Sequence, residues 1–244
     1  MKNEIKILIN QVKENTISGD IEIARMLITF ILDNFYLLKD EDLIDVAEQL
    51  KNAKNEMASI QNIARILILY ADKLDELYKE LIAFRKFVVP DYNKIHFRDL
   101  FSDLKKPIGI ITLSRSSTVK YAIILLYKKN LLKNLYIIHS YPGGEGEILL
   151  KELNENGING ILVEDLTFYQ YINNIDIAVT GADAITNKYF INKVGSYLLF
   201  DYAKKAGKKT LVLGNPLKKI SIDIEIKNKE YEKIPLNLVD KIFI

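Results

Sequence analysis

The hydrophobic pattern changes character at Val88-Val89-Pro90, and that change limits the architecture more than any other feature of the chain. Up to it, apolar residues recur at the spacing of one helix face: Ile5, Leu8, Ile9 and Val12, then Ile23, Ala24, Leu27, Phe30 and Ile31. After it come short β-branched runs, Ile108 to Leu113, Leu135 to Ile138, Gly160 to Val163, Ile175 to Thr180 and Thr210 to Leu213, separated by stretches of helical period. Strands alternating with helices form parallel sheets with right-handed crossovers. The expected fold is therefore α/β, a helical N-terminal domain followed by a Rossmann-like parallel-sheet domain. The polar segment Asp91 to Lys106 joins the two, which puts the helical domain at residues 1–98 and the ligand-binding domain at residues 99–244.

Within the helical half, Ser18-Gly19-Asp20 breaks the first helix and offers Asp20 as cap of the second, while Lys39-Asp40-Glu41-Asp42 reads as a solvated turn. An unbroken apolar stripe, Ile60, Ile63, Ala64, Leu67, Ile68, Ala71, Leu74, Leu77, Leu81 and Phe84, predicts one long helix from Met57 to Phe87. Apolar residues make up 49% of the chain against only 11 Gly and 5 Pro, which excludes disordered and collagen-like classes.

Thirty-four basic and 32 acidic residues leave a net charge of +2, too small a field to imply nucleic acid or an anionic membrane as partner. With no cysteine there is no disulfide, thiolate nucleophile or thiolate metal site, and two histidines, His96 and His139, are too few for an all-protein zinc site. No cofactor is called for. The segment Met1 to Asn15 is interrupted by Lys2, Glu4, Lys6 and Lys13, unlike a signal peptide, and no stretch approaches the roughly 18 apolar residues of a spanning helix. A cytoplasmic protein is the expectation.

Ligands of open parallel sheets bind beyond the carboxyl ends of the strands, where helix N-termini present free N–H groups. The residues that follow each strand are therefore the informative ones. After the first comes Thr112-Leu113-Ser114-Arg115-Ser116-Ser117-Thr118, hydroxyls and a guanidinium that suit phosphate or sugar; the same cluster reads equally as a helix cap. After the second comes His139-Ser140-Tyr141-Pro142-Gly143-Gly144-Glu145-Gly146, whose glycines allow close backbone approach but lack the dinucleotide spacing, and no P-loop exists. His139 by itself reads as a hydrogen-bonding residue at a strand end.

The fourth strand carries Gly181-Ala182-Asp183-Ala184-Ile185, then Asn192-Lys193-Val194-Gly195-Ser196 opening a helix. Gly181 frees space at the strand tip and Asp183 brings a carboxylate to the cleft. Lys193, with the N–H groups around Gly195 and Ser196, forms an anion cradle. Standing alone, Asp183 would read as a loop-capping acid.

These last runs resemble the family of the eukaryotic initiation factor 2B alpha, beta and delta subunits, which includes methylthioribose-1-phosphate and ribose-1,5-bisphosphate isomerases. Further pieces agree in order: Ser18-Gly19 with Glu22-Ile23-Ala24-Arg25, Ile111-Thr112-Leu113-Ser114, Tyr141 to Gly146, Ala203 to Lys208, and Tyr231-Glu232-Lys233-Ile234-Pro235. The resemblance implies that the isomerases work with a cysteine after the first strand of the sheet and with the aspartate of Gly-Ala-Asp. Asp183 matches that aspartate, whereas the cysteine position holds Ser114, a far weaker acid than a thiol. Tyr141 stands where the isomerases carry an arginine.

The expectation is thus a non-catalytic relative binding a phosphorylated sugar or nucleoside monophosphate in a regulatory or assembly role. Asp183 and Ser114 occupy the catalytic positions, and Arg115, Ser116, Gly143, Gly144, Gly181, Asn192, Lys193, Gly195 and Ser196 line the site. The alternatives are an aldose–ketose isomerase, which would use Asp183 with water or Ser114, and an assembly subunit with an empty pocket. The resemblance further implies a homodimer through the second domain and an initiation-factor partner. Tyr197, Leu198, Leu199, Phe200 and Tyr202 are the apolar and aromatic residues offered for that dimer.

Overall fold

The computed structural model describes residues 2–15, 18–89, 92–93, 97 and 100–244. The N-terminal half is built on the helices α1 (Lys2–Glu14), α2 (Asp20–Asp33), α3 (Asp40–Ala53), α4 (Ala58–Leu69) and α5 (Leu74–Val88). Their apolar stripes converge on one core through Ile9, Val12, Leu27, Leu50, Ile63, Leu67 and Leu81. Three expectations are corrected here. The stripe from Met57 to Phe87 is two helices, because the chain turns at Tyr70–Lys73 and α5 packs back on α2. The apolar phase runs through the turn unbroken, so periodicity alone cannot reveal it. Asp40, Glu41 and Asp42 are not a turn but the first turn of α3, where acids suit the helix dipole and Asp42 accepts from the Lys39 N–H at 3.3 Å. Asp20 does not cap α2: Gly19 holds the cap position, its N–H donates to Glu22 at 3.3 Å, and Asp20 is the buried first helical residue.

The C-terminal half is a six-stranded parallel sheet in the order β3-β2-β1-β4-β7-β9. Its strands are β1 (Ile108–Leu113), β2 (Leu132–Ile138), β3 (Ile161–Val163), β4 (Ile177–Thr180), β7 (Lys209–Leu213) and β9 (Lys241–Phe243). Every residue of β1 is buried, as befits a strand covered on both faces. Helices α6 (Ser117–Lys128), α7 (Glu145–Asn154) and α8 (Ser196–Lys205) cover the sheet, with separate apolar clusters against its two faces.

A small antiparallel sheet of β5 (Ala184–Ile185), β6 (Tyr189–Lys193) and β8 (Tyr231–Pro235) rises from the carboxyl edge. Asn192 and Lys193 therefore end a strand and do not open a helix; α8 begins only at Ser196. Leu199 and Phe200 are corrected too: both are fully buried in the core, Phe200 against Phe190, whereas Tyr197, Leu198 and Tyr202 are exposed. No helix among the described residues is long and apolar enough to cross a membrane.

The expected domain boundary, Arg98 to Asp99, and His96 lie outside the described residues, while Phe97 packs with the sheet-side core. Past β7 the chain returns to the helical half. Leu217 enters the helical core, Asn62 Nδ2 donates to the carbonyls of Leu217 and Lys219 at 2.9 and 2.8 Å, and Asn215 Nδ2 donates to that of Phe87 at 2.9 Å. Farther on, Glu56 accepts the N–H groups of Lys227 and Asn228 at 2.8 and 2.9 Å.

Candidate functional site

Where the carboxyl ends of β1 and β4 meet the loop before α2, a cavity of about 130 Å³ opens between the two halves. Ser114, Arg115, Ser116, Gly181, Asp183, Asn192 and Lys193 all line it, so the structure brings together most of the residues expected to do so. Gly143, Gly144, Gly195 and Ser196 do not line it. Gly144 and Gly195 are the N-caps of α7 and α8. A Cβ at Gly143 would lie 2.4 Å from the Glu145 carboxylate, so a side chain there would have to displace that group.

Ser114 stands at the tip of β1 in a left-handed conformation, φ 60°, held there by its N–H donating to Ser140 Oγ at 2.6 Å. Ser140 is itself left-handed, φ 69°, and its hydroxyl donates to the Ile138 carbonyl at 3.0 Å. Each such residue costs about 1–3 kcal/mol, strain that folds tolerate mostly where it positions a functional group. Ser116 is the N-cap of α6, accepting from Val119 N–H at 3.3 Å, so the capping reading holds for it. Gly181 exists for that cap: a Cβ there would lie 2.6 Å from Ser116 Oγ.

The two expected anion-binding cations are already engaged. Arg115 donates to Glu22 at 3.1 and 3.2 Å and to Glu152 at 2.8 Å, tying α2 to α7 beside the cavity. Burial opposes its charge, but these carboxylates outweigh burial and raise its pKa. Lys193, 4% exposed, reaches Glu145 and Glu230, each at 2.7 Å. Burial again opposes the charge and the two acids again prevail, so its pKa is raised. The N-terminus of α8 is occupied as well, since the Tyr197 N–H donates to Glu232 at 2.8 Å. Asn192 donates to Ser196 Oγ at 2.8 Å, and Ser196 donates to the Lys193 carbonyl at 2.6 Å, so Ser196 supports the cavity wall from behind.

On the opposite side the charges are less well matched. Asp183 is fixed by its backbone, its N–H donating to Ile191 O and its carbonyl accepting from Ala58 N–H, both at 2.8 Å. Its carboxyl lies deep in the molecule with part of its surface bare to the cavity, and burial raises its pKa, with Lys218 and Lys193 pulling the other way. Asp20 accepts from Ser59 Oγ, and its second oxygen has no hydrogen-bond partner among the described residues. Burial raises the Asp20 pKa to about 7, helped by Asp183 and opposed by Lys218 and Ser59. Lys218 Nζ donates to the Ala182 carbonyl. Tyr231 completes this side, its hydroxyl held well above its ordinary pKa by burial and the surrounding acids.

Asp20, Lys218, Glu145, Glu230 and Tyr231 were not anticipated as site residues. One signal was present: Asp20 falls in phase with Ile23, Ala24 and Leu27 on the apolar face of α2, which places an acid where burial is expected. His139 and Tyr141 lie away from the cavity, stacked at 4.0 Å, with His139 Nε2 2.9 Å from Glu147. Among the described residues no cluster of three or more His, Asp or Glu side chains is set to hold a metal. Chemically, the cavity can grip hydroxyls with carboxyls and amides, and an anion with the N-terminal turn of α6 and a lysine.

The profile of the initiation factor 2 subunit family matches residues 20–239. The chain is 26% identical over 172 residues to the ribose 1,5-bisphosphate isomerase of Archaeoglobus fulgidus, covering 68% of this chain and 55% of that protein. It is 26% identical over 176 residues to a Pyrococcus horikoshii protein described as translation initiation factor eIF-2B subunit 2-like, covering 66% and 58%. The chain thus aligns with little more than half the length of these relatives. A crystal structure of the translation initiation factor eIF-2B of Pyrococcus horikoshii superposes with TM-score 0.83 at 22% identity, over 98% of this chain and 94% of that one.

Proposed function

This chain belongs to the initiation factor 2 subunit family, and from that premise we propose that it is a non-catalytic, initiation-factor-2B-like protein that holds a phosphorylated sugar or nucleoside monophosphate in a regulatory or assembly role. One observation carries the reading: a single cavity at the carboxyl edge of the parallel sheet is lined at once by the N-terminal turn of α6, by Asp183 and by Lys193. The phosphate lies at the α6 N-terminus, where free N–H groups and the helix dipole favour an anion. To reach Lys193 it exchanges with Glu230, whose side chain is 43% exposed, while Glu145 stays in place. Asp183 accepts sugar hydroxyls. Ser114 lacks the thiol acidity that proton shuttling in the family's isomerases calls for.

Calorimetric titration with ribose 1,5-bisphosphate, methylthioribose 1-phosphate and adenosine monophosphate tests this. Binding is expected, weakened about tenfold or more by Lys193→Ala in protein whose circular dichroism shows it folded. No heat from any of the three would overturn the reading.

A second reading, an aldose–ketose isomerase, draws on the relative named ribose 1,5-bisphosphate isomerase and on the raised pKa of the Asp183 carboxyl at the cavity. Product formation seen by NMR and abolished by Asp183→Asn would replace the first reading with this one.

We also propose a homodimer through the exposed face of α8, where Tyr202 meets Phe168 and Tyr169 at ring distances of 5.7 and 6.3 Å beside exposed Leu198. Light scattering is expected to give two chains for the parent and one for Tyr202→Glu. An unchanged dimer in that variant would move the contact elsewhere.

A further inference from the structure

Asp20 is a buried acid from the helical half that stands in the wall of a cavity built mainly by the sheet half. One oxygen takes the Ser59 hydroxyl; the other, Oδ2, is buried with no hydrogen-bond partner among the described residues. A buried polar atom without a partner is destabilising, and a ligand that supplies the missing partner removes that cost. The space beside neighbouring Gly19, which also lines the cavity, is open. The groups facing Asp20 are the Lys218 ammonium, the Asp183 carboxyl, the Ser59 hydroxyl and the Tyr231 phenol. Lys218 acts on both acids and Lys193 acts on Asp183 as well, so Asp20 is the carboxyl with the weaker cationic support and the one whose charge costs more.

We infer that Asp20 is a ligand-contacting, specificity-determining residue, which in its neutral form donates a hydrogen bond from Oδ2 to an oxygen of the bound phosphorylated sugar while Asp183 accepts one from the same molecule. This rests on the cavity being a sugar-phosphate site. It adds that the sugar is held by one carboxyl from each half of the chain and that a proton is bound along with it. The pKa of about 7, set by burial and by Asp183 against Lys218, agrees with such a role. Above that pH the free protein loses the proton that the complex needs, so affinity falls by up to about tenfold per pH unit.

The test compares wild type with Asp20→Asn, which keeps a donor and the acceptor for Ser59, and with Asp20→Leu, which keeps neither. Adenosine monophosphate and ribose 1,5-bisphosphate are titrated by calorimetry near pH 6 and near pH 8, in buffers of different ionisation heat. Wild type is expected to take up a proton on binding near pH 8 and to bind there about tenfold more weakly than Asp20→Asn does, relative to pH 6. Asp20→Leu is expected to bind at least about tenfold more weakly than wild type near pH 6. Equal proton uptake and equal pH slope in wild type and Asp20→Asn, or full affinity in Asp20→Leu, would overturn the inference and leave the sugar-phosphate reading standing. No binding by wild type would overturn both. Should the variants fail to fold, carboxyl ¹³C NMR of wild type decides: saturating ligand is expected to raise the Asp20 titration midpoint, and an unmoved midpoint overturns the inference.

Discussion

The two walls of the cavity handle charge in opposite ways. On the Lys193 wall two cations meet acids of their own: Lys193 has Glu145 and Glu230, and Arg115 has Glu22 and Glu152. On the Asp20 wall Lys218 acts on both acids, Asp20 has that lysine alone, and one of its oxygens has no hydrogen-bond partner among the described residues. The first wall is a finished electrostatic structure that an anion enters only by exchange. The second leaves a buried carboxyl oxygen unmatched. A lysine at a helix N-terminus is therefore not a phosphate site on its residue type alone, since the chain's own carboxylates compete for it.

The largest effect is expected at Lys193. Lys193→Ala strands Glu145, most of whose side chain is buried, and is expected to cost about 3–5 kcal/mol of stability in denaturant unfolding. The double variant Lys193→Ala, Glu145→Gln should recover much of that loss. A single variant as stable as the parent would show the first wall to be no structural unit.

The second wall responds with the opposite sign. The Asp20 pKa lies above its unfolded value, so between about pH 4 and about pH 7 the native state holds a proton that the unfolded chain has released. Stability attributable to this residue therefore falls as pH rises through that window and levels off above it. Asp20→Asn removes the loss: it is expected to be on the order of 2–4 kcal/mol more stable than wild type near pH 8, with no gain near pH 4. Urea melts at the two pH values measure this, and a gain independent of pH would show that ionisation of Asp20 is not the cause.

Glu230→Gln is expected to have the smallest effect. Its pair with Lys193 is half open to water, so unfolding should shift by less than about 0.5 kcal/mol, in contrast to Glu145→Gln, which removes the buried partner. The same change is expected to tighten phosphate binding, because the competitor for Lys193 is gone.

The sequence reveals the two walls unequally. Asp183 is legible because a Gly-Ala-Asp run follows a β-branched stretch, and the ends of parallel strands are where ligands bind. Asp20 was half legible: its phase on α2 marks it as buried, yet its position after Ser18-Gly19 also suits a cap, and only the fold separates the two. Lys218 carries no signal, since it lies in a short turn beyond β7 outside any periodic pattern. The partners of Lys193 lie 48 and 37 positions away, and nothing local tells which of 32 acids will reach it. The helical half was legible in its faces but not in its turn at Tyr70–Lys73, because a stripe of constant phase survives a chain reversal that both sides bury in one core.

Leu217, inserted into the helical core, is the immediate neighbour of Lys218. Any motion that parts the two halves like a clamshell has to pull this side chain into water, at about 2 kcal/mol for the leucine alone, and to break the Asn62 and Asn215 contacts with it. The lysine on which both acids depend is thus bolted to the helical half by the residue before it.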